Sequence, residues 1–228
     1  MPTMLITGVN RGIGLAIAEA ALQRGWDVEG SCRTPAQAEA MQARLGARFT
    51  PLVFDVTDHA GVATAAAARP EPLDVLINNA GIIGPEAEAQ SALSMDFEGF
   101  RQTLEVNTLA PLAVALAFLP RLRLAPAGRI LTISSQMAWM GYAKSDRVAY
   151  RASKAAVNKV MQCLATDLED EGLAVAVVDP GWVRTDMGGA GADLSPVDVA
   201  SGIVELAASL DRSRSGRFFR WTGEEREF

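Results

Sequence analysis

From its first residues onward the chain alternates short apolar runs with segments of helical periodicity, and this alternation narrows its possible folds more than any other feature. The runs are Thr3 to Thr7, Asp27 to Cys32, Phe49 to Asp55, Leu73 to Asn78, Arg129 to Ser134, Leu173 to Asp179 and Arg217 to Trp221. Val75-Leu76-Ile77 and Val175-Ala176-Val177-Val178 lack polar alternation, as strands do when both faces of a parallel sheet are covered. Helical stretches fill the gaps, at Gly12 to Arg24, Pro35 to Leu45, His59 to Arg69, Phe97 to Leu124 with a break or start near Asn107, Val148 to Glu171 and Ser195 to Leu210. Gly25 stops the first, and Ser195-Pro196 caps the last with proline at its first helical position. The pattern predicts an α/β fold in a single domain over residues 1–228: a doubly wound, mostly parallel sheet of seven strands with helices on both faces. The patch Gly188-Gly189-Ala190-Gly191 predicts a loop, spanning about 182–197, that is either a substrate lid or a plain connection.

Composition removes several function classes. With 21 basic and 27 acidic residues the net charge is -6, which provides no electrostatic footprint for nucleic acid or an anionic membrane. Cys32 and Cys163 form neither a zinc spacing nor a disulfide framework, so a reducing compartment, the cytoplasm, is expected. A single histidine, His59, sits at a helix start and is read as solvent-facing; no metal site is expected. The longest apolar stretch, Leu109 to Leu119, is shorter than the ~20 residues of a membrane span, and no signal peptide is visible.

Two local patterns carry chemistry. Thr7-Gly8-Val9-Asn10-Arg11-Gly12-Ile13-Gly14 leaves the first strand and opens the first helix. Glycines there let the backbone approach a pyrophosphate, and the helix start offers unpaired N–H groups and a favourable dipole. An ordinary glycine turn would look similar, but the strand before and the helix after favour dinucleotide binding. The second pattern is Tyr150-Arg151-Ala152-Ser153-Lys154, which places a phenol and an ammonium one helical turn apart on one face. A free tyrosine ionises near ~10; an adjacent ammonium is expected to lower that value, and together with a nicotinamide cation to fit the phenol for proton transfer. The other tyrosine, Tyr142, has Asp146 in place of a lysine.

The glycine spacing is Thr-Gly-x-x-x-Gly-x-Gly, and with the motifs that follow it the chain resembles the short-chain dehydrogenase/reductase family from Thr7 to about Thr185. The resemblance implies a Rossmann-type fold and the following residue roles. Asn78-Asn79-Ala80-Gly81 matches a motif that supports the central sheet beside the adenosine side of the cofactor. Asp55 and Val56 correspond to a pair that contacts adenine. Asn107, in Glu105-Val106-Asn107-Thr108, corresponds to a helix asparagine that holds a water in a proton relay to the lysine. Ser135 takes the place of the catalytic serine, with Ser134 as the alternative because the loop to Tyr150 is slightly long. Pro180 and Gly181 introduce the nicotinamide-binding segment, in which Val183 would offer backbone bonds to the carboxamide and Thr185 a hydroxyl. Tyr150 would be the proton donor, and Lys154 would hold the nicotinamide ribose.

The position where an acidic residue would select NAD is read as Cys32, followed by Arg33, with Arg11 in the glycine loop near the same site. Two guanidiniums and no carboxylate suit a 2′-phosphate, so NADP(H) is expected over NAD(H); the competing reading makes Glu29 the acid. The segments Tyr150 to Asn158 and Phe218 to Trp221 are similar to the branch holding C-factor-like and sniffer-type carbonyl reductases. This implies an aldehyde or ketone reductase of broad tolerance. Met137, Trp139, Met140, Trp182 and Met187 would either line an apolar pocket or pack in the core. Two other readings stay open: a dinucleotide-sensing regulator without catalysis, and a nucleotide-sugar epimerase or dehydratase, which usually has a larger C-terminal region. Relatives in the family commonly form homodimers or homotetramers on two long helices, here Asn107 to Leu124 and Val148 to Glu171.

Overall fold

The computed structural model describes residues 1–228. In chain order the elements are β1 (Thr3–Ile6), α1 (Gly12–Gln23), β2 (Asp27–Cys32), α2 (Pro35–Leu45), β3 (Phe49–Val53), α3 (His59–Ala67) and β4 (Val75–Asn78). There follow a small hairpin β5 (Gln90–Ser91) and β6 (Ser94–Met95), α4 (Phe97–Leu104), α5 (Ala110–Leu122), β7 (Arg129–Ile133), α6 (Val148–Asp167), β8 (Ala174–Asp179), α7 (Pro196–Ser209), β9 (Phe218–Arg220) and β10 (Glu225–Arg226). The main sheet runs β10-β9-β8-β7-β4-β1-β2-β3. Seven strands are parallel, as the apolar runs predict, and β10 adds an antiparallel edge. β10 escapes the sequence because Glu225 and Arg226 have no apolar pattern to read.

Alternate side chains of each strand serve opposite faces. Met4 and Ile6 of β1 join the core beneath α1, α2 and α7, whereas Leu5 joins the core formed with α3, α5 and α6. Helix starts are capped where the sequence places small polar residues. Thr34 accepts from Gln37 N at 3.3 Å, Asp58 from Gly61 N at 3.0 Å and Ser195 from Val197 N at 3.3 Å. Gly25, at φ 90°, turns the chain out of α1.

The long helical stretch from Phe97 is interrupted, as expected near Asn107, by a π-helical turn over Glu105–Leu109. Pro111 has no N–H to donate to the carbonyl one turn back, that of Asn107, so a regular α-helix would break there in any case. The continuous helical run Phe97–Leu122 is long and apolar enough to cross a bilayer by composition. Here it is half buried, with α5 packed against α3 and α4 against α6.

A charge inside the sheet has a partner of its own. Glu29 in β2 is 3% exposed, and its carboxylate takes both Nη1 and Nη2 of buried Arg121 at 2.8 Å and Nε of Arg69 at 2.9 Å. Burial alone would raise the Glu29 pKa; the two guanidiniums overcome that and hold it below the ordinary carboxylate range. Replacing Arg121 by Met should cost about 3–5 kcal/mol by uncovering the buried carboxylate. The double variant Glu29→Leu/Arg121→Met should recover most of that loss in urea denaturation.

Candidate active site

The sheet order reverses between β1 and β4, where the connections from the two strands leave over opposite faces and a crevice opens at the carboxyl ends. The glycine loop sits on one side of this crevice and Asn79-Ala80-Gly81 on the other, and they are clamped together. Thr7 Oγ1 accepts from the backbone N–H of Asn79 and of Ala80 at 3.0 Å. Asn79 Nδ2 donates to the carbonyls of Thr7 at 2.9 Å and Gly8 at 3.2 Å. Gly8 and Gly12 lie at φ 70° and 58°, and a Cβ on Gly14 would stand 2.4 Å from Gly8 O and Asn79 Nδ2. Only glycine permits this close turn. No side chain caps the start of α1, so the crevice offers a shaped cradle with a positive helix end, the features that fit a pyrophosphate.

The crevice widens into a cleft of about 1280 Å³ that brings nearly every predicted site residue together. Asn10, Arg11, Ile13, Arg33, Asp55, Val56, Ala80 and Gly81 border its first half. Ser135, Tyr150, Lys154, Pro180, Gly181, Val183 and Thr185 border the second. Gly14 and Asn107 lie beneath the wall. Asp55 is held as an acceptor for Thr57 N at 2.9 Å and Thr57 Oγ1 at 2.8 Å. Glu29, committed to Arg121 and Arg69, is not a ribose ligand, and β2 ends in the buried thiol of Cys32. Arg33 is exposed with no carboxylate partner. Arg11, expected at the same site, instead reaches Asp186 at 2.9 Å, an exposed pair that solvent screens strongly.

On the floor of the second half the two serines separate. Ser134 is turned into α6, its hydroxyl 2.5 Å from Asn158 Oδ1, whereas Ser135 borders the cleft beside Tyr150 and accepts from Met137 N at 3.1 Å. Lys154 Nζ lies 5.8 Å from the Tyr150 ring centre and donates to Ile133 O at 2.8 Å. A Cβ on Gly81 would meet Asn107 Oδ1 at 3.2 Å and Lys154 Nζ at 3.6 Å, so these two groups converge behind it. Asn107 is fully buried. Its amide donates to Ile82 O at 2.8 Å and Ser153 Oγ at 3.0 Å and accepts from Ile82 N at 2.9 Å. The side chain is thereby fixed, and Pro111 leaves its backbone carbonyl without the usual helical donor.

The electrostatics differ from the sequence expectation. Burial pushes the Tyr150 pKa up to about 12; Asp179 adds to the rise, while Ser135 and Arg147 oppose it. The neighbouring ammonium does not lower it, because burial penalises that charge as well and brings Lys154 down to about 8. In the ligand-free protein, then, the phenol keeps its proton through the neutral range.

Of the five apolar residues expected at the pocket, Met137, Trp182 and Met187 border the cleft. Met140 is 82% exposed and points to water, and Trp139 packs over Gly141. The loop from Trp182 is tied at its base by Arg184 N to Leu194 O at 3.0 Å and Leu194 N to Trp182 O at 3.1 Å. His59, read as solvent-facing, meets Glu105 at 3.1 Å.

The motifs do not reveal Asp179. This buried carboxylate accepts from Gln136 N and Gly181 N, both at 2.9 Å, and pairs with the guanidinium of Arg226. It joins the segment after Ser135, the Pro-Gly turn and the last strand at one point. The available signal is physical: an acidic residue ending a strand buried on both faces requires partners.

The fold and crevice define a protein of the Rossmann class. The chain belongs to the short-chain dehydrogenase family, whose profile it matches over residues 2–193. It is 40% identical to the C-signal protein of Myxococcus xanthus over 157 residues, covering 68% of this chain and 92% of that one. Among solved structures it is similar to an NADPH-bound carbonyl reductase from chicken fatty liver, with TM-score 0.89, 30% identity and 100% and 99% of the two chains covered. It is also similar to the carbonyl reductase Sniffer of D. melanogaster, with TM-score 0.92, 28% identity and both chains covered in full.

The chain has three lysines, Lys144, Lys154 and Lys159, which makes the buried ammonium directly observable. In ¹³C NMR of lysine-labelled, ligand-free protein, one side-chain signal should lose its charge with a midpoint near 8. That transition should disappear in Lys154→Met.

Proposed function

We propose that this protein is an NADP(H)-dependent oxidoreductase that reduces aldehydes or ketones. The observation that carries the reading is the convergence of Ser135, Tyr150 and Lys154 on the floor of a cleft whose other half is the glycine cradle. Bound NADPH would supply a hydride to the carbonyl carbon. Ser135 Oγ holds the carbonyl oxygen by a hydrogen bond. As the new C–H bond forms and the C=O π pair moves to oxygen, the phenol of Tyr150 gives its proton to that oxygen. Its raised pKa keeps the proton-bearing form available across the neutral range. Lys154 would hold the ribose of the bound cofactor and, with Asn107 and the water it would hold, would return a proton from solvent to the phenolate.

Gly8, Asn10, Gly12, Ile13 and Gly14 would cradle the pyrophosphate, Asp55 and Val56 the adenine, and Asn79, Ala80 and Gly81 the adenosine side. Pro180, Gly181, Val183 and Thr185 would hold the carboxamide end. The free guanidinium of Arg33 and the lack of a carboxylate at the end of β2 support NADP(H) over NAD(H). The relative bound to NADPH is consistent with this. Cys32 and Cys163 are both free thiols, which suits the cytoplasm. Leu109 and Leu116, about half exposed on the α5 side, support a homodimer or homotetramer built on α5 and α6.

NADPH oxidation over a panel of aldehydes, ketones, quinones and sugar nucleotides tests the reading, which fails if only sugar nucleotides react. Tyr150→Phe should lower kcat by a factor on the order of 10²–10⁴ with NADPH affinity nearly intact; near-normal turnover would remove Tyr150 from the mechanism. Arg33→Ala should weaken NADPH binding roughly 10- to 100-fold, as expected for a lost charge-assisted bond. NADH binding should change little. A preference of the unmodified protein for NADH would overturn the cofactor assignment.

A further inference from the structure

Most charged side chains around the cleft are already paired. Arg101 meets Glu98 at 3.0 Å, Arg151 meets Asp146 at 2.6 Å, Arg11 meets Asp186 and His59 meets Glu105. Two arginines on the cleft wall, Arg33 and Arg147, make no ion pair and no side-chain hydrogen bond, although Arg33 lies near enough to Asp55 to lower its pKa. Arg33 lies at the adenosine end, where the 2′-phosphate would take it. Nothing in that account uses Arg147, which is partly buried at the opposite end, three residues before Tyr150.

The backbone makes this placement costly. Arg147 is the one residue other than glycine with a left-handed conformation, at φ 52° and ψ 48°. For an ordinary L-residue this costs roughly 1–2 kcal/mol, and such outliers cluster at sites of function. Arg147 also precedes the first turn of α6, which holds no acidic residue, and a cation there opposes the helix dipole. The Arg147 carbonyl accepts from Arg151 N at 2.9 Å, but its guanidinium makes no hydrogen bond or ion pair within the chain. Its charge nonetheless reaches the reacting centre, since it lowers the Tyr150 pKa against the effect of burial.

We infer that Arg147 binds an anionic group of the substrate, so that the preferred substrates are aldehydes or ketones bearing a carboxylate on an apolar body. This rests on the reductase reading above and narrows its substrate class. Met137, Trp182 and Met187 provide the apolar wall. Asp146, the nearest acid in sequence, is held by Arg151 through both its carboxylate and its carbonyl, so an incoming carboxylate does not compete with it for Arg147. The planar guanidinium suits a carboxylate bidentately.

The test compares 4-carboxybenzaldehyde with its methyl ester, using full-length protein and NADPH. The two substrates share the reacting carbonyl, so the ratio of their kcat/KM values cancels changes in the common chemistry. The carboxylate should be favoured by at least about ten-fold, mainly through KM, as expected for a charge-assisted bond. The preference should shrink as ionic strength rises. Arg147→Asn accepts the left-handed conformation more readily than most residues; it should bring the ratio to one or below, and Arg147→Lys should keep part of it. Equal turnover by the unmodified protein, preference for the ester, or a preference that persists in Arg147→Asn overturns the inference. The ester reports separately on the parent reading: if it is reduced without carboxylate preference, only the inference fails, whereas if neither aldehyde nor any other carbonyl reacts, both fail.

Discussion

The reversal of strand order between β1 and β4 is the constraint from which the rest of the site follows. Both strands are buried and parallel, so their connections must leave at the same end, and covering the two faces sends those connections apart. The opening between them cannot be filled by either loop. The chain lines it with backbone: glycines on one side, clamped to Asn79-Ala80-Gly81 on the other by the Thr7 hydroxyl and the Asn79 amide. The clamp fixes the cradle with groups that are satisfied before any ligand arrives. A dinucleotide therefore meets preorganised donors and needs little loop ordering on binding.

The catalytic floor obeys a different rule. It lies where α6 packs on the sheet, and packing there removes water from a phenol and an ammonium together. Burial pushes the two pKa values in opposite directions, up for Tyr150 and down for Lys154. Both shifts favour the uncharged forms. The irregular turn at Glu105–Leu109 belongs to the same design. It presents Asn107 to Ser153 and to the backbone of Ile82, so two helices and the segment after β4 are locked behind the reacting groups.

Features set by local pattern were legible in the sequence. The seven parallel strands, the glycine loop, the Tyr150–Lys154 pair and the break near Asn107 each depend on residues close together in the chain, and each appears where the spacing places it. The pairings that decide charge are long-range. Nothing near Glu29 announces Arg121, ninety-two positions away, and nothing near Arg11 announces its pairing with Asp186. Met140 lies in a segment that the family resemblance places at the pocket, with core packing as the other reading, yet the short helical turn after Ser135 leaves it facing water. The helical spacing places an ammonium beside the Tyr150 phenol but does not reveal how deeply both are buried, and that depth, a property of the tertiary structure, sets their pKa values before any cofactor binds.

Asp179 extends the reach of the site in a direction that the motifs do not suggest. One oxygen of its carboxylate holds the backbone on either side of the reacting centre, and the other is neutralised by a side chain from the outermost strand. That strand is two residues long and pairs along one edge only. Fraying of the sheet's rim would thus strand a negative charge directly behind the serine and the Pro-Gly turn. The backbone on both sides of the cleft floor is thereby tied, through one carboxylate, to a ribbon at the far rim of the sheet.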